Sequence, residues 1–161
     1  MPTLHAQPYD TSATGFYFTS EEDFQEKFDA RLPVEEYEIQ FIDGTDQELT
    51  LYRIVDPCQS TLAKYFDLID QDISDDHMIA LSYLVDSCGY DLKDGLNKME
   101  DVQIFEGSAE DYARDFVDEC YDLPEIAQSY FNYEQFANDL MAEGSITEVE
   151  TGVYVTNSDE F

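Results

Sequence analysis

The sequence predicts an α+β fold, elongated and built from three small units: a mixed N-terminal unit over 1–56, a helical middle unit over 57–101 and a mixed C-terminal unit over 102–161. Three observations carry that expectation. Short strand-like runs fall in the first and last units, each together with helices. The middle shows only helical periodicity. The 11 Phe and 12 Tyr, within a 43% apolar composition, can build a packed core for 161 residues.

In the first unit a strand is expected over 4–9, a turn through Asp10, Thr11 and Ser12, and a second strand over 15–18. A helix follows over 21–30, with Pro33 closing it. Tyr37, Ile39 and Phe41 then alternate with Glu38, Gln40 and Ile42 as a strand, and Asp43-Gly44-Thr45-Asp46 reads as a turn into a hairpin partner at Leu49-Thr50-Leu51-Tyr52. In the middle unit Leu62, Tyr65, Phe66 and Ile69 fall at i, i+3, i+4 and i+7. Ser74 can cap a second helix carrying Met78, Leu81, Leu84 and Val85 and stopped by Gly89; Asp91 starts a third with Leu92, Leu96 and Met99. The last unit reads as a strand over 102–105, a helix over 109–122, a helical turn begun by Pro124, a helix over 133–142 ended by Gly144, and a hairpin of 146–150 with 152–156. Ser20 with Asp23, Ser108 with Asp111 and Asn132 with Gln135 each place a cap residue three before an acid or amide, so all three helix starts are well marked.

Charge narrows the function more than any motif does. Against 38 Asp and Glu stand 7 Lys and Arg, a formal charge of −31. Phosphate is repelled by such a surface, which excludes nucleic acid and anionic membrane as direct partners and points to a basic one. No run approaches the roughly 18 apolar residues of a membrane span, and the opening residues lack a signal-peptide pattern. Cys58, Cys88 and Cys120 are odd in number and form no CxxC pair, so they read as reduced, partly buried thiols of a cytoplasmic protein.

Catalytic and cofactor signatures are missing: His5 and His77 stand alone as surface or packing residues, and no phosphate loop, dinucleotide fingerprint or nucleophile elbow is present. No cofactor and no enzymatic activity are expected. One stretch, from Asp139 to Glu150, matches a calcium loop at its first, sixth and twelfth positions. Met141 replaces the third-position ligand and a strand follows where a helix is needed, so helix end, turn and hairpin is the simpler reading.

The carboxylates themselves are patterned. On the helix over 109–122, Tyr112, Phe116, Val117 and Cys120 make the inner face, while Asp111, Asp115, Asp118 and Asp122 form one solvent stripe flanked by Glu110 and Glu119. Like charges at i, i+4 destabilise a helix, and Arg114 is its only cation, so something other than stability favours the arrangement. Asp67, Asp70, Asp72, Asp75, Asp76 and Asp86 extend the charge into the middle unit. At the duplex spacing of about 1.7 Å per charge, a charge of −31 corresponds to roughly 53 Å of DNA, longer than a compact domain of this size is wide. Three readings fit: a halophilic surface, a generic acidic module for basic proteins, and a DNA mimic. The first sits poorly with 23 Phe and Tyr against 10 Ala.

Two stretches also resemble a known family. The order from Tyr112 to Thr156, above all Tyr130-Phe-Asn-Tyr-Glu-Gln-Phe-Ala-Asn-Asp-Leu140 followed by a Gly-Val-Tyr-Val hairpin, is similar to the C-terminal part of the ArdA antirestriction proteins of mobile elements. Gly15-Phe-Tyr-Phe, the acidic helix after it and Glu36-Tyr-Glu-Ile-Gln-Phe-Ile-Asp43 resemble that family's opening unit. The resemblance implies an elongated three-unit dimer that mimics bent B-form DNA. Its implied partner is a type I restriction-modification complex, whose methyltransferase and specificity core it would occupy; a CRISPR effector or a nucleoid protein is the alternative target.

Overall fold

The computed structural model describes residues 1–31 and 34–161. It shows the α+β class, with helices and two three-stranded antiparallel sheets. The chain divides into two compact units, Met1–Met78 and Ile79–Phe161.

In the first unit β1 (Thr3–Pro8) is the central strand of a sheet ordered β2-β1-β3, with β2 at Phe16–Phe18 and β3 at Tyr37–Asp43. The register sets Leu4 against Phe18 and Phe41, and Ala6 against Phe16 and Ile39. Leu4, Ala6, Phe16, Phe18, Tyr37 and Ile39 are therefore buried, as the period of two requires. Gly15 enters β2 where a Cβ would stand 2.6 Å from the Ala6 carbonyl oxygen, so only glycine fits this approach. Helix α1 (Glu21–Asp29) lays Phe24 on the sheet, its ring 5.0 Å from Phe18 and 5.5 Å from Phe16. The stop assigned to Pro33 lies outside the described residues.

The expected hairpin partner at Leu49–Tyr52 is instead part of a helix, α2 (Asp46–Val55). Thr45 and Glu48 form a reciprocal capping box: the Glu48 N–H donates to the Thr45 hydroxyl at 3.2 Å, and the Thr45 N–H donates to the Glu48 carboxylate at 2.8 Å. Leu51 and Ile54, three apart, turn inward, and burying each contributes about 1.5–3 kcal/mol. Packing at helical spacing and the cap together outweigh the Leu-Thr-Leu alternation. Helix α3 (Leu62–Ile69) buries Leu62, Tyr65 and Leu68, and the buried Tyr65 hydroxyl donates to the Glu48 carbonyl at 3.0 Å. Helix α4 (Asp75–Ser82), capped through the Ser74 hydroxyl, carries the chain onward.

In the second unit the helix expected to run to Gly89 widens into a π turn over Tyr83–Ser87, where Tyr83 and Leu84 pack with Val155. Helix α5 (Leu92–Lys98) starts at Asp91 as expected, and buried Gly95 leaves just enough space for Leu81 and Val85. A second sheet has the order β4-β6-β5, from Ile104–Glu106, Val153–Val155 and Thr147–Glu150. Helix α6 spans Ala109–Cys120, ending two residues before the expected 122. The short α7 (Glu125–Gln128) leads to α8 (Tyr133–Glu143), stopped by Gly144 at φ +81°. The sequence from Asp139 to Glu150 is thus helix end, turn and strand. Buried Asn157 ties the sheet together: its side-chain carbonyl accepts from the Gln103 N–H at 2.9 Å, and its amide donates to the Asp101 carbonyl at 3.0 Å.

Candidate functional site: an acidic surface with few paired cations

All twelve carboxylates singled out in the sequence are exposed. Five lie in the first unit. Asp67 is on the outer side of α3, away from Leu62, Tyr65 and Leu68, and Asp70 caps that helix's C-terminus, where a negative charge opposes the helix dipole. Asp72 sits at φ +50°, in the left-handed region that an aspartate tolerates better than most residues. Asp75 and Asp76 open α4, where the dipole favours them, and Asp75 accepts a bond from the Gln47 amide at 2.5 Å.

The other seven belong to the second unit. Asp86 lies in the π turn and accepts from the Ser82 hydroxyl at 3.0 Å. Along α6, Glu110 is paired with Arg114 at 3.0 Å. Asp111 completes a capping box with Ser108, its carboxylate accepting from the Ser108 hydroxyl at 2.6 Å and backbone N–H at 3.2 Å. Those bonds, the hydroxyl's first, hold its carboxyl below the usual aspartate range. Asp115, Asp118 and Glu119 point to solvent. The expected four-aspartate stripe has three members on the helix, Asp111, Asp115 and Asp118, spanning about 10.5 Å at 1.5 Å per residue. Asp122 does not continue it. Tyr121 closes the last turn with its N–H on the Val117 carbonyl at 2.9 Å but is itself extended, at φ −131° and ψ 131°, and the chain leaves the helix there.

Sequence reasoning did not foresee where the cations go. Among the described residues there are three ion pairs: Lys27 with Asp23 at 2.7 Å, Arg114 with Glu110 at 3.0 Å, and the terminal ammonium with Glu48 at 2.9 Å. Three of the side-chain cations lie against aromatic rings. The Arg31 guanidinium is 4.3 Å from the Phe16 ring centre, that of Arg114 is 4.3 Å from Tyr133, and the Lys98 ammonium is 5.5 Å from Tyr90 and 5.9 Å from Phe161. Spacing along the chain carries no sign of these contacts. With 38 acids against 7 Lys and Arg, most carboxylates stay uncompensated wherever the cations lie. Glu48 is the exception inside the fold, a buried acid that the composition hid among its 37 fellow acids.

Two of the three cysteines, Cys58 and Cys120, are exposed rather than partly buried; only Cys88 is half-buried. The Cys58 thiol is lowered to about 7 by the Ser60 hydroxyl, 3.0 Å away, and by the Thr61 hydroxyl at 3.4 Å. His5 lies against Tyr17 with ring centres 4.7 Å apart and ring planes tilted by 46°. No helix of the described residues is long and apolar enough to cross a membrane.

No curated protein matches the chain. Residues 9–155 match the family described as Antirestriction protein (ArdA). That span is 147 of the 161 residues and takes in the whole second sheet, β2 and β3 of the first, and all the acidic helices, so the chain belongs to the ArdA family of antirestriction proteins.

Proposed function

We propose that this antirestriction protein inhibits a type I restriction-modification enzyme as a DNA mimic, placing its carboxylates in the groove that otherwise holds duplex phosphates. The observation that carries the reading is the exposure of Asp67, Asp70, Asp72, Asp75, Asp76, Asp86, Glu110, Asp111, Asp115, Asp118, Glu119 and Asp122 on a chain whose cations are few and partly engaged with rings. A DNA-binding groove is lined with Lys and Arg placed for phosphate, and an acidic protein that fills it displaces the DNA by competition and shares its counterion release. The protein acts in the cytoplasm, as a homodimer, without catalysis and without a cofactor. Within the array Asp115 and Asp118 are better phosphate surrogates than Asp111, which is occupied as a cap, or Glu110, which is paired.

Charge distributed in this way has a testable consequence. Single changes such as Asp115→Asn should alter inhibition of a type I enzyme by less than about threefold, within a range of 0.7 kcal/mol. Replacing Asp67, Asp70, Asp75 and Asp76 together with Asp115 and Asp118 should weaken inhibition by tenfold or more while circular dichroism shows the fold intact. A single substitution that abolished inhibition in a folded protein would sink the distributed-charge reading.

A further inference from the structure

One face of the first sheet carries the buried residues Leu4, Ala6, Phe16 and Phe18 and is covered by Phe24 of α1. The opposite face is open, and it is not simply polar, as the solvated face of an antiparallel sheet usually is. Across the three strands Tyr17, His5 and Gln40 stand opposite one another, with Gln7 against Glu38 in the next row. Tyr17 is 59% exposed, Gln7 and Glu38 are exposed, and His5 and Gln40 are half-buried. These side chains hold one another in place. The His5 ring centre is 4.7 Å from that of Tyr17, its Nδ1 is 3.4 Å from the Gln40 amide oxygen, and the Gln40 amide donates to the Glu38 carboxylate at 2.9 Å. A Cβ on Gly15 would stand 2.7 Å from the His5 ring, so glycine there is what lets the imidazole lie against β2 beside Tyr17. Side chains ordered in advance lose less entropy when a partner covers them.

Charge selects the occupant. Glu38 is the one acid in these two rows, and its carboxylate is already engaged by Gln40. A groove lined with Lys and Arg for phosphate would be desolvated against this face without free carboxylates to receive it. Exposed tyrosine beside amides, with little charge, is instead the composition of the centre of a protein–protein interface. We infer that the open face of the first sheet docks an uncharged, apolar and hydrogen-bonding surface of the restriction enzyme outside its DNA-binding groove, with Tyr17 as the anchor. The inference rests on the partner proposed above and adds a contact that duplex phosphates do not make. Acidic charge alone would suit any basic groove, whereas this face discriminates among them.

The test is binding of the full chain to the methyltransferase core of a type I enzyme between about 0.1 and 0.4 M NaCl. Tyr17→Ser should weaken binding about fivefold, and Tyr17→Ser with His5→Ser at least tenfold, by the same factor at every salt concentration because no phosphate-like charge is lost. Asp115→Asn with Asp118→Asn should instead make the salt dependence shallower. Circular dichroism checks folding, and the single Tyr17→Ser change, at an exposed position, decides the matter should the double variant fold poorly. A loss below about twofold, or one that disappears at the higher salt, would overturn the inference. So would a change of oligomeric state on Tyr17→Ser, seen by light scattering, since a second copy would then be the occupant. A core that held duplex and this chain together would refute DNA mimicry and leave the Tyr17 effect readable; competitive binding that Tyr17→Ser left untouched would refute the docking face alone.

Discussion

At Glu48 a carboxylate serves the fold instead of the surface. Burial works to raise its pKa, but the Thr45 N–H, the terminal ammonium 2.9 Å away and the Thr45 hydroxyl together bring it below the ordinary glutamate value. A carboxyl with a depressed folded-state pKa stabilises the fold above its unfolded value of about 4.3, and that contribution disappears as pH falls through the folded value. Glu48→Ala should therefore cost about 1–2 kcal/mol at pH 7, from the lost cap and the unpaired groups left behind. The difference from the parent should shrink below about pH 4. Urea unfolding followed by circular dichroism across pH 3–7 measures both. A penalty that stayed constant with pH would mean that Glu48 contributes by packing alone.

Among the elements, α6 shows the conflict between stability and charge most directly. Asp115 has Asp111 and Glu119 four residues to either side, and the helix's one cation, Arg114, is paired with Glu110. Asp115→Lys would convert two repulsive i, i+4 pairs into attractive ones, so the melting temperature should rise by roughly 2–8 °C while inhibition falls. A variant that became both more stable and more inhibitory would contradict the role assigned to this helix. The start of α6 was legible in the sequence because Ser108 and Asp111 are local partners three residues apart. Its end was not, since the periodicity runs on to Asp122 and only the extended Tyr121 stops it. For α2 the signal was present and outweighed: Thr45-x-x-Glu48 is a capping box, but Asp-Gly followed by Leu-Thr-Leu also reads as a turn and strand. The π turn at Tyr83–Ser87 depends on packing against Val155, some 70 residues away, and no local pattern reports that. Of the acidic surface, residue identity and exposure were legible. The engagement of Arg31, Lys98 and Arg114 with rings was not, because it is a tertiary contact.

Over the whole molecule, a charge of −31 repels itself, and salt relieves that repulsion over a Debye length of about 8 Å at physiological strength. The core that resists it is aromatic in one unit, built from Phe16, Phe18, Phe24 and Tyr37, while in the other buried Leu140, Ile146 and Tyr154 are flanked by half-buried Phe105, Tyr112 and Phe136. The protein should therefore remain folded at about 50 mM salt, with a melting temperature that climbs gradually as NaCl is added. Thermal melts between about 50 mM and 1 M NaCl would show this. Unfolding at the low end would instead identify a halophilic surface. Competition with duplex DNA for the methyltransferase core of a type I enzyme tests the central claim most directly. DNA mimicry predicts mutually exclusive binding, with an affinity that falls steeply as salt rises. A stable complex holding both the duplex and this protein on one core would contradict it.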